Sequence, residues 1–451
     1  MKTIRGETTT ENRSWSENFG RIGFYPWYVA GVLALAQVMS NLDRYLMSVV
    51  LEPVKTDLVL TDSQLGLLSG LSFAIVFCIA SLPLGRLADI SNRRIIIFIG
   101  ICCWSAATVA CSFANSFTQL FIARLGVGLG EAALLPAAVS LIAAYFPRDM
   151  LTKGLAVFTT GNSMGRAAAF LGGGALFMWL VGHGGLAIPA IGHFRPWQGV
   201  MLIAGLTGFA VALLCLTIRE PARKIVAKEE LKFSKSFSFF RQNADVYLRM
   251  FLLYGLAVGA AMALATWTIS LYVRNYNVPV GTASIIVGLT SLIIGPFANM
   301  AGGWLTDRLN TMNVPAAGIL VSSAVLAFLP VAGLSFWLLH GLGFAILTYV
   351  VSYFGLVMVG PACLGALQYV TPDQHRGVVS SLYLSAYSLL GYGLGPLIVG
   401  LFSDYVFKSE GTLHLSLAAT FFIFAVIGVP ISLSGRSAYQ RLADMVHKDE
   451  K

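Results

Sequence analysis

Residues 85–94 read GRLADISNRR, and residues 303–308 read GWLTDR. Both open G-x-L-x-D, both close an apolar stretch, and they lie 218 residues apart in a chain of 451. The same loop pattern at corresponding places in two halves marks a duplication. Duplicated helical units with a site between them are a common plan of secondary transporters.

Outward from these loops the chain is apolar. It is 57% hydrophobic and only 11% charged, whereas a soluble domain carries about 25% charged residues. A spanning helix needs about 20 apolar residues. The pattern predicts twelve: 25–51, 64–87, 95–115, 118–145, 152–181, 197–218, 248–273, 283–305, 313–333, 335–359, 377–402 and 413–435. The expected fold is an all-α membrane protein, with twelve transmembrane helices in two pseudo-symmetric six-helix bundles. The expected division is a tail at 1–24, a first bundle at 25–218, a linker at 219–247, a second bundle at 248–435 and a tail at 436–451. The linker has seven basic and four acidic residues over 219–246, a pattern that admits an amphipathic helix on the membrane surface.

The net charge of +9 does not point to nucleic acid. With the N-terminus on the cytoplasmic side, 23 of the 30 Lys and Arg fall on inner loops and tails. Four fall outside: Lys55, Arg195, Arg274 and Lys408. This is the positive-inside bias, and it places both termini in the cytoplasm of a multi-pass inner-membrane protein. Membrane lipids are the expected partners of the basic loops. The N-terminal tail lacks the apolar core of a cleavable signal.

Other chemistries find no support. The cysteines (Cys78, Cys102, Cys103, Cys111, Cys215, Cys363) fall in or near spans without metal-ligand spacing, and read as packing residues. The six histidines are scattered. No G-x-x-x-x-G-K-[ST] loop is present, which argues against an ATP-driven pump. No metal, no cofactor and no enzyme activity are expected.

Gly85-Arg-Leu-Ala-Asp89-Ile-Ser-Asn-Arg93-Arg94 resembles the G-x-L-x-D-R-x-G-R-R loop of the major facilitator superfamily. Ile90 stands where the family has Arg and Asn92 where it has Gly; the echo keeps its Arg at Arg308. Within that superfamily the chain is similar to the Spinster-like branch and its bacterial relatives. The residues that carry this are Asn41-Leu-Asp43-Arg44, Thr61-Asp-Ser-Gln64-Leu-Gly-Leu-Leu and Arg124-Leu-Gly-Val-Gly128-Leu-Gly130-Glu131-Ala. The resemblance implies the major facilitator fold, and proton coupling at Asp43 and Glu131. Eukaryotic members of the branch move lysolipids and sphingoid phosphates. A lysolipid-like or other small-molecule substrate, protons and a monomeric carrier are therefore expected.

The residues themselves support a carrier. A charge at mid-bilayer costs about 2.5–3.5 kcal/mol on insertion scales, so such residues usually line a pathway. Asp43 and Arg124 fall at similar depth, roughly 12 and 9 Å below the outer surface at 1.5 Å per residue. Glu131 lies two turns below Arg124 on nearly the same face. Arg124 is expected to pair with Asp43 or with Glu131, protonation of one acid changing the partner. The alternative is a static ion pair that fixes helix packing. Arg44, turned about 100° from Asp43, either offers a bidentate fork to an anionic substrate, or snorkels or pairs with a neighbouring helix. Arg166, among the glycines of the fifth span, is a third cavity charge or a structural partner.

The second half has almost no internal charge. Trp267, Asn299, Tyr383 and Tyr387 are its candidate cavity wall, and a charged wall facing an aromatic one suits an amphiphile with an anionic head. Gly85, Asp89, Arg93 and Arg94, with Asp307 and Arg308, read as a cytoplasmic gate in which Asp89 pairs with Arg93 or Arg94 or caps a helix. The expected function is a proton-coupled carrier of an amphipathic or organic anion by alternating access; the alternative is a symporter of sugar acids or other small carboxylates.

Overall fold

The computed structural model describes residues 23–147, 150–189, 192–221, 230–312, 314, 316–338, 341–372 and 375–449. The N-terminal tail, linker residues 222–229 and the Asp89 side chain lie outside that description.

The spanning helices follow the apolar stretches. α1 is Phe24–Val49. α2 starts at Asp62–Gly66, passes a π turn at Leu67–Leu71 and continues as Ser72–Ile90. α3 is Arg93–Ser112, α4 Phe117–Tyr145, α5 Leu151–Gly182 and α6 Pro196–Cys215. α7 is Ala244–Tyr276, α8 Val280–Thr311, α9 Ala317–Leu338, α10 Leu342–Tyr369 and α11 Arg376–Phe407. α12 is Leu413–Asp449. Eleven of these meet a length and hydropathy criterion for crossing a membrane. α1, diluted by Asn41, Asp43 and Arg44, is the twelfth by its 26-residue length.

Local chemistry fixes the starts. Thr61 accepts a bond from the Gln64 backbone while Gln64 reaches back to the Thr61 N–H, a capping box for α2. Asn92 caps α3 through the Ile95 N–H, and Ser116 caps α4 through the Gln119 N–H. The long fifth span runs on unbroken through a π turn at Ala169–Gly173. The tail expected from 436 is helical as far as Asp449, because Tyr439, Leu442 and Val446 are buried against the second half. Tyr439 also donates to the Ala366 carbonyl, 3.0 Å away. In the linker, the helix Glu230–Gln242 docks on the second half: Ser236 Oγ lies 2.9 Å from His375 Nδ1, and Phe239 stacks on the same ring. A small antiparallel hairpin joins α5 and α6, pairing Leu186–Ile188 with Gly192–Phe194.

Call the end where α1 starts and α12 finishes the near face, and the other the far face. The core is divided unequally between them. Far-side residues of the first half (Tyr45 to Leu68, Leu120, Phe170, Trp197) belong to one hydrophobic core with the whole second half. Near-side residues of the first half (Trp27, Leu33, Ile97, Ala137, Phe158, Cys215) form a separate core containing first-half residues alone. The two halves are thus fused at the far face and independent at the near face.

Glycines make the fusion possible. A Cβ on Gly70 of α2 would lie 2.4 Å from the Tyr392 carbonyl oxygen of α11. One on Gly400 of α11 would lie 2.3 Å from the Asp62 oxygen. Backbone meets backbone here, which only small residues allow.

Candidate functional site

α1 carries two charges on adjacent residues, and the helical turn between them sends the side chains to different neighbours. Asp43 faces α3, where its Oδ2 accepts a 3.2 Å bond from Thr108 Oγ1. Arg44 faces α2 and α11. Its guanidinium lies 4.4 Å from the Phe73 ring centre, 4.9 Å from that of Tyr392 and 5.9 Å from that of Phe77. Its Nη2 bonds Glu131 Oε2 of α4 at 2.5 Å. Ser40, one turn before Arg44 on α1, donates to the same oxygen at 2.8 Å.

Arg124 was expected to pair with Asp43 or with Glu131; among the described residues it forms an ion pair with neither, and Glu131 pairs with Arg44. Glu131 stands two turns from Arg124, close enough to α1 for Arg44 and Ser40 to capture it. Arg124 bonds the Leu68 carbonyl through Nε at 3.4 Å and interacts electrostatically with Asp43. Asp43, Arg124 and Glu131 are each only 2% exposed. Five polar atoms of the cluster are buried without a hydrogen-bond partner: Asp43 Oδ1, Arg44 Nε, Arg124 Nη2, Glu131 Oε1 and Arg166 Nε. A buried unsatisfied group costs about 1–3 kcal/mol, more when charged. The cluster therefore has unfilled capacity for a proton on either acid and for an anion on the arginines.

Arg166 of α5 spans the seam between the halves. Nη1 donates to Tyr353 Oη of α10 at 2.9 Å, and Nη2 to Tyr45 Oη of α1 at 2.8 Å. Asn162, one turn earlier, accepts from Gln37 and Asn41 at 2.7 and 3.0 Å.

The second half contributes tyrosines. Tyr254 stacks on Tyr383 at 4.8 Å and meets Tyr387 edge-on at 5.5 Å. Tyr387 lies 5.8 Å from Tyr392, which covers Arg44. Tyr383 and Tyr387 thus join the central cluster. Trp267 and Asn299 are placed elsewhere. Trp267 is fully buried, its indole donating to the Pro396 carbonyl at 2.9 Å within the far-side seal. Asn299 bonds the Gly295 carbonyl of its own helix at 3.1 Å.

The Asp89 side chain, the expected partner of Arg93 or Arg94, lies outside the described residues; both arginines bond Glu220. Arg93 Nε bonds Glu220 Oε1 at 2.8 Å and Nη1 bonds Ser140 Oγ at 3.1 Å. The Arg94 N–H donates to the other Glu220 oxygen at 3.1 Å. Glu220 lies just past α6 and competes for both arginines. These contacts stay within the first half. No Cβ contact closer than 3.9 Å constrains Gly85. Arg308 lies over the Trp304 ring at 5.3 Å. Asp307 lines a near-face cavity of about 430 Å³ with Asn310, Gln368, Tyr369 and Arg376.

The largest ionic network was not anticipated as a site. At the far face Arg274, ending α7, grips Asp62, which starts α2, with bonds of 2.7 and 2.8 Å, and bonds Glu52 at 2.9 Å. Lys55 bonds Asp62 and Glu410 at 2.8 and 2.7 Å. Asp404 of α11 accepts the N–H groups of Asp62 and Ser63 at 3.1 and 2.6 Å. Ser403 donates to Asp62 Oδ2 at 2.5 Å. Residues of both halves meet in every one of these groups except the Lys55–Asp62 pair, so the network is a latch. The available sequence signal was a lone acid opening one span and a lone base closing another.

Among the described residues no cluster of three metal-ligating side chains is present.

The family model for the Major Facilitator Superfamily matches residues 33–396. An MFS-type efflux pump of Mycolicibacterium smegmatis is 26% identical over 404 residues, 89% of this chain and 90% of that protein. A probable L-galactonate transporter of Escherichia coli K12 is 24% identical, over 83% and 82% of the two chains. Among solved structures, a bacterial homologue of the human lysosomal transporter Spinster, in an inward-facing and unoccupied conformation, superposes with a TM-score of 0.77. It is 25% identical, and the match covers 94% of this chain and 98% of that one.

Proposed function

The chain belongs to the major facilitator superfamily, and from that premise we propose a proton-coupled secondary transporter of an organic anion with an apolar or aromatic body. It is a multi-pass membrane transporter rather than an enzyme. The near face is the cytoplasmic one by the positive-inside bias, with both termini on it, in a bacterial inner membrane. The rocking units are 25–218 and 248–435, linked by 219–247, in a single copy of the chain. With the far face latched and the near-face cores separate, the conformation described is inward-facing.

The observation that carries the proposal is the Arg44–Glu131 pair, a buried carboxylate and a partly buried guanidinium at the seam, roofed by Phe73 and Tyr392 from opposite halves. A proton taken up on Glu131 Oε1 cancels the carboxylate charge that holds Arg44. The guanidinium is then released toward the cavity, and the same proton leaves when the pair re-forms. Asp43, facing Arg124, serves as the second acid. Alternating water access from the two faces turns this exchange into coupling, because ionised and neutral carboxyls prefer wet and sealed surroundings respectively. Tyr254, Tyr383, Tyr387 and Tyr392 supply a surface for an apolar or ring-bearing body beside the charges.

A lysolipid-like anion is the first substrate reading. A sugar acid is the second, favoured by the likeness to the probable L-galactonate transporter. The test is uptake of labelled lysophosphatidate and labelled galactonate into proteoliposomes under an imposed pH gradient. Gradient-dependent uptake of one of them is expected. Equal uptake with and without the gradient overturns the coupling, and uptake of neither overturns the anion reading.

A further inference from the structure

Among the described residues, no carboxylate answers the positive charge that Arg166 holds between the halves. Its two bonds go to phenol oxygens, Tyr353 of the second half and Tyr45 of the first. Its guanidinium lies 4.7 Å from the Tyr45 ring centre and 5.7 Å from that of Tyr353. Its Nε is buried with no partner. The other two central arginines differ. Arg44 is bonded to Glu131, and Arg124 faces Asp43. Three guanidiniums thus meet two carboxylates, and the excess charge resides at Arg166.

A buried ion without a counter-ion is strongly unfavourable. Ring faces and phenol dipoles soften that cost without cancelling the charge. The backbone holds Arg166 where it is: a Cβ on neighbouring Gly165 would sit 2.4 Å from the Val38 carbonyl oxygen, so α5 lies directly against α1 at this turn.

We propose that Arg166, rather than Arg44, binds the charged head of the transported molecule. The ligand is an organic anion whose carboxylate or phosphate accepts the guanidinium fork. Tyr45 and Tyr353, which now accept from Arg166, turn their hydroxyl hydrogens to donate to the same anion. This rests on the transporter reading above and divides its labour: Arg44 belongs to the proton switch with Glu131, and Arg166 to the cargo. The fork draws on both halves, so a bound anion ties α1 and α5 to α10 and stabilises closure around itself.

The test is equilibrium binding to the purified full chain in nanodiscs, with labelled 1-oleoyl-lysophosphatidate and labelled galactonate as anionic probes and monooleoylglycerol as the uncharged one. Arg166→Gln is expected to weaken the anion that the wild type binds by about 10- to 100-fold, the value of hydrogen bonds to a charged group. It should leave monooleoylglycerol within about twofold, since no charge is lost from that contact. Tyr353→Phe, which keeps the ring, should weaken the anion by about 3- to 10-fold. Arg44→Gln should alter the pH dependence of binding more than its strength. A wild type that binds neither anion overturns the anion reading itself. A wild type that binds one, with Arg166→Gln or Tyr353→Phe binding it equally well, overturns only the present proposal. So does an equal loss of charged and uncharged probes, which would mark Arg166 as a packing residue.

Discussion

Arg274 grips Asp62 with both terminal nitrogens from the opposite half of the molecule, at 2.7 and 2.8 Å. Asp62 is only 1% exposed. Asp62→Asn strips charge-assisted bonds from Arg274, which keeps Glu52, and from Lys55, which keeps Glu410. Hydrogen bonds to charged groups contribute about 1.5–3 kcal/mol. Asp62→Asn should therefore move the resting population outward by about 10- to 100-fold. Spin labels on exposed Thr56 and Lys408 read this as a longer distance across the far face. Adding Arg274→Met to Asp62→Asn should open the far face further, since Glu52 then loses its partner as well. An unchanged distance distribution in Asp62→Asn would remove the latch.

Asp404 acts on the same helix differently. Its carboxylate accepts the first two N–H groups of α2 from the other half, where a helix favours negative charge. Losing such a cap costs about 1–2 kcal/mol. Asp404→Asn should open the far face as Asp62→Asn does, but by only about 5- to 30-fold. An effect as large as that of Asp62→Asn would mean that Asp404 does more than cap.

The two results bear on what the sequence made legible. The spans were readable because the bilayer imposes length and apolarity on each helix, and the central charges because they break that rule. Depth arithmetic brought Asp43 and Arg124 to one level and set Glu131 two turns below Arg124 on nearly the same face. It could not choose the partner of Glu131, since that depends on how α1 and α4 are rotated against each other. The latch was hidden for a further reason. Asp62 and Arg274 sit at span ends, where charge is ordinary, and only the packing of the two halves joins them. Asp89, expected to bind Arg93 or Arg94, has its side chain outside the described residues, and no local pattern announced that Glu220 would compete for both arginines.

That competition has its own consequence. Glu220 holds Arg93 and the Arg94 N–H, so it staples the end of α6 to the start of α3 within one half. Hydrogen bonds to charged groups contribute about 1.5–3 kcal/mol. Glu220→Gln should lower the unfolding free energy of the first half by roughly that amount, seen as an earlier thermal transition. The distance distribution across the far face should not move. A shift in that distribution with unchanged thermal stability would place Glu220 in the gate rather than in the staple.

Glu131 and Asp43 should separate coupling from carriage. Glu131→Gln removes the charge that occupies Arg44 while keeping the Ser40 contact geometry. Uptake driven by a pH gradient should fall about tenfold or more, the loss of a charge-assisted bond. Counterflow, which needs no net proton movement, should persist. Asp43→Asn should show the same pattern, since it loses its charge opposite Arg124. Loss of counterflow in both variants would mean that these acids bind cargo rather than protons.

The glycines offer a comparison in which sterics alone decide the outcome. A Cβ on Gly70 or Gly400 meets the backbone of the opposite half, at 2.4 Å from the Tyr392 oxygen or 2.3 Å from the Asp62 oxygen. Backbone cannot rotate away as a side chain can, so the halves must part. One on Gly165 meets the Val38 oxygen at 2.4 Å, and one on Gly130 meets the Trp104 nitrogen at 2.5 Å, both inside the first half. Overpacking of this kind costs about 1–3 kcal/mol. In Gly70→Ala and Gly400→Ala the cost falls on the latched state alone, so the Thr56–Lys408 distance should lengthen while thermal stability changes little. In Gly165→Ala and Gly130→Ala it falls on every conformation of that half, so thermal stability should drop while the distance holds. If all four substitutions acted alike on both measurements, the two halves would not be moving as separate bodies.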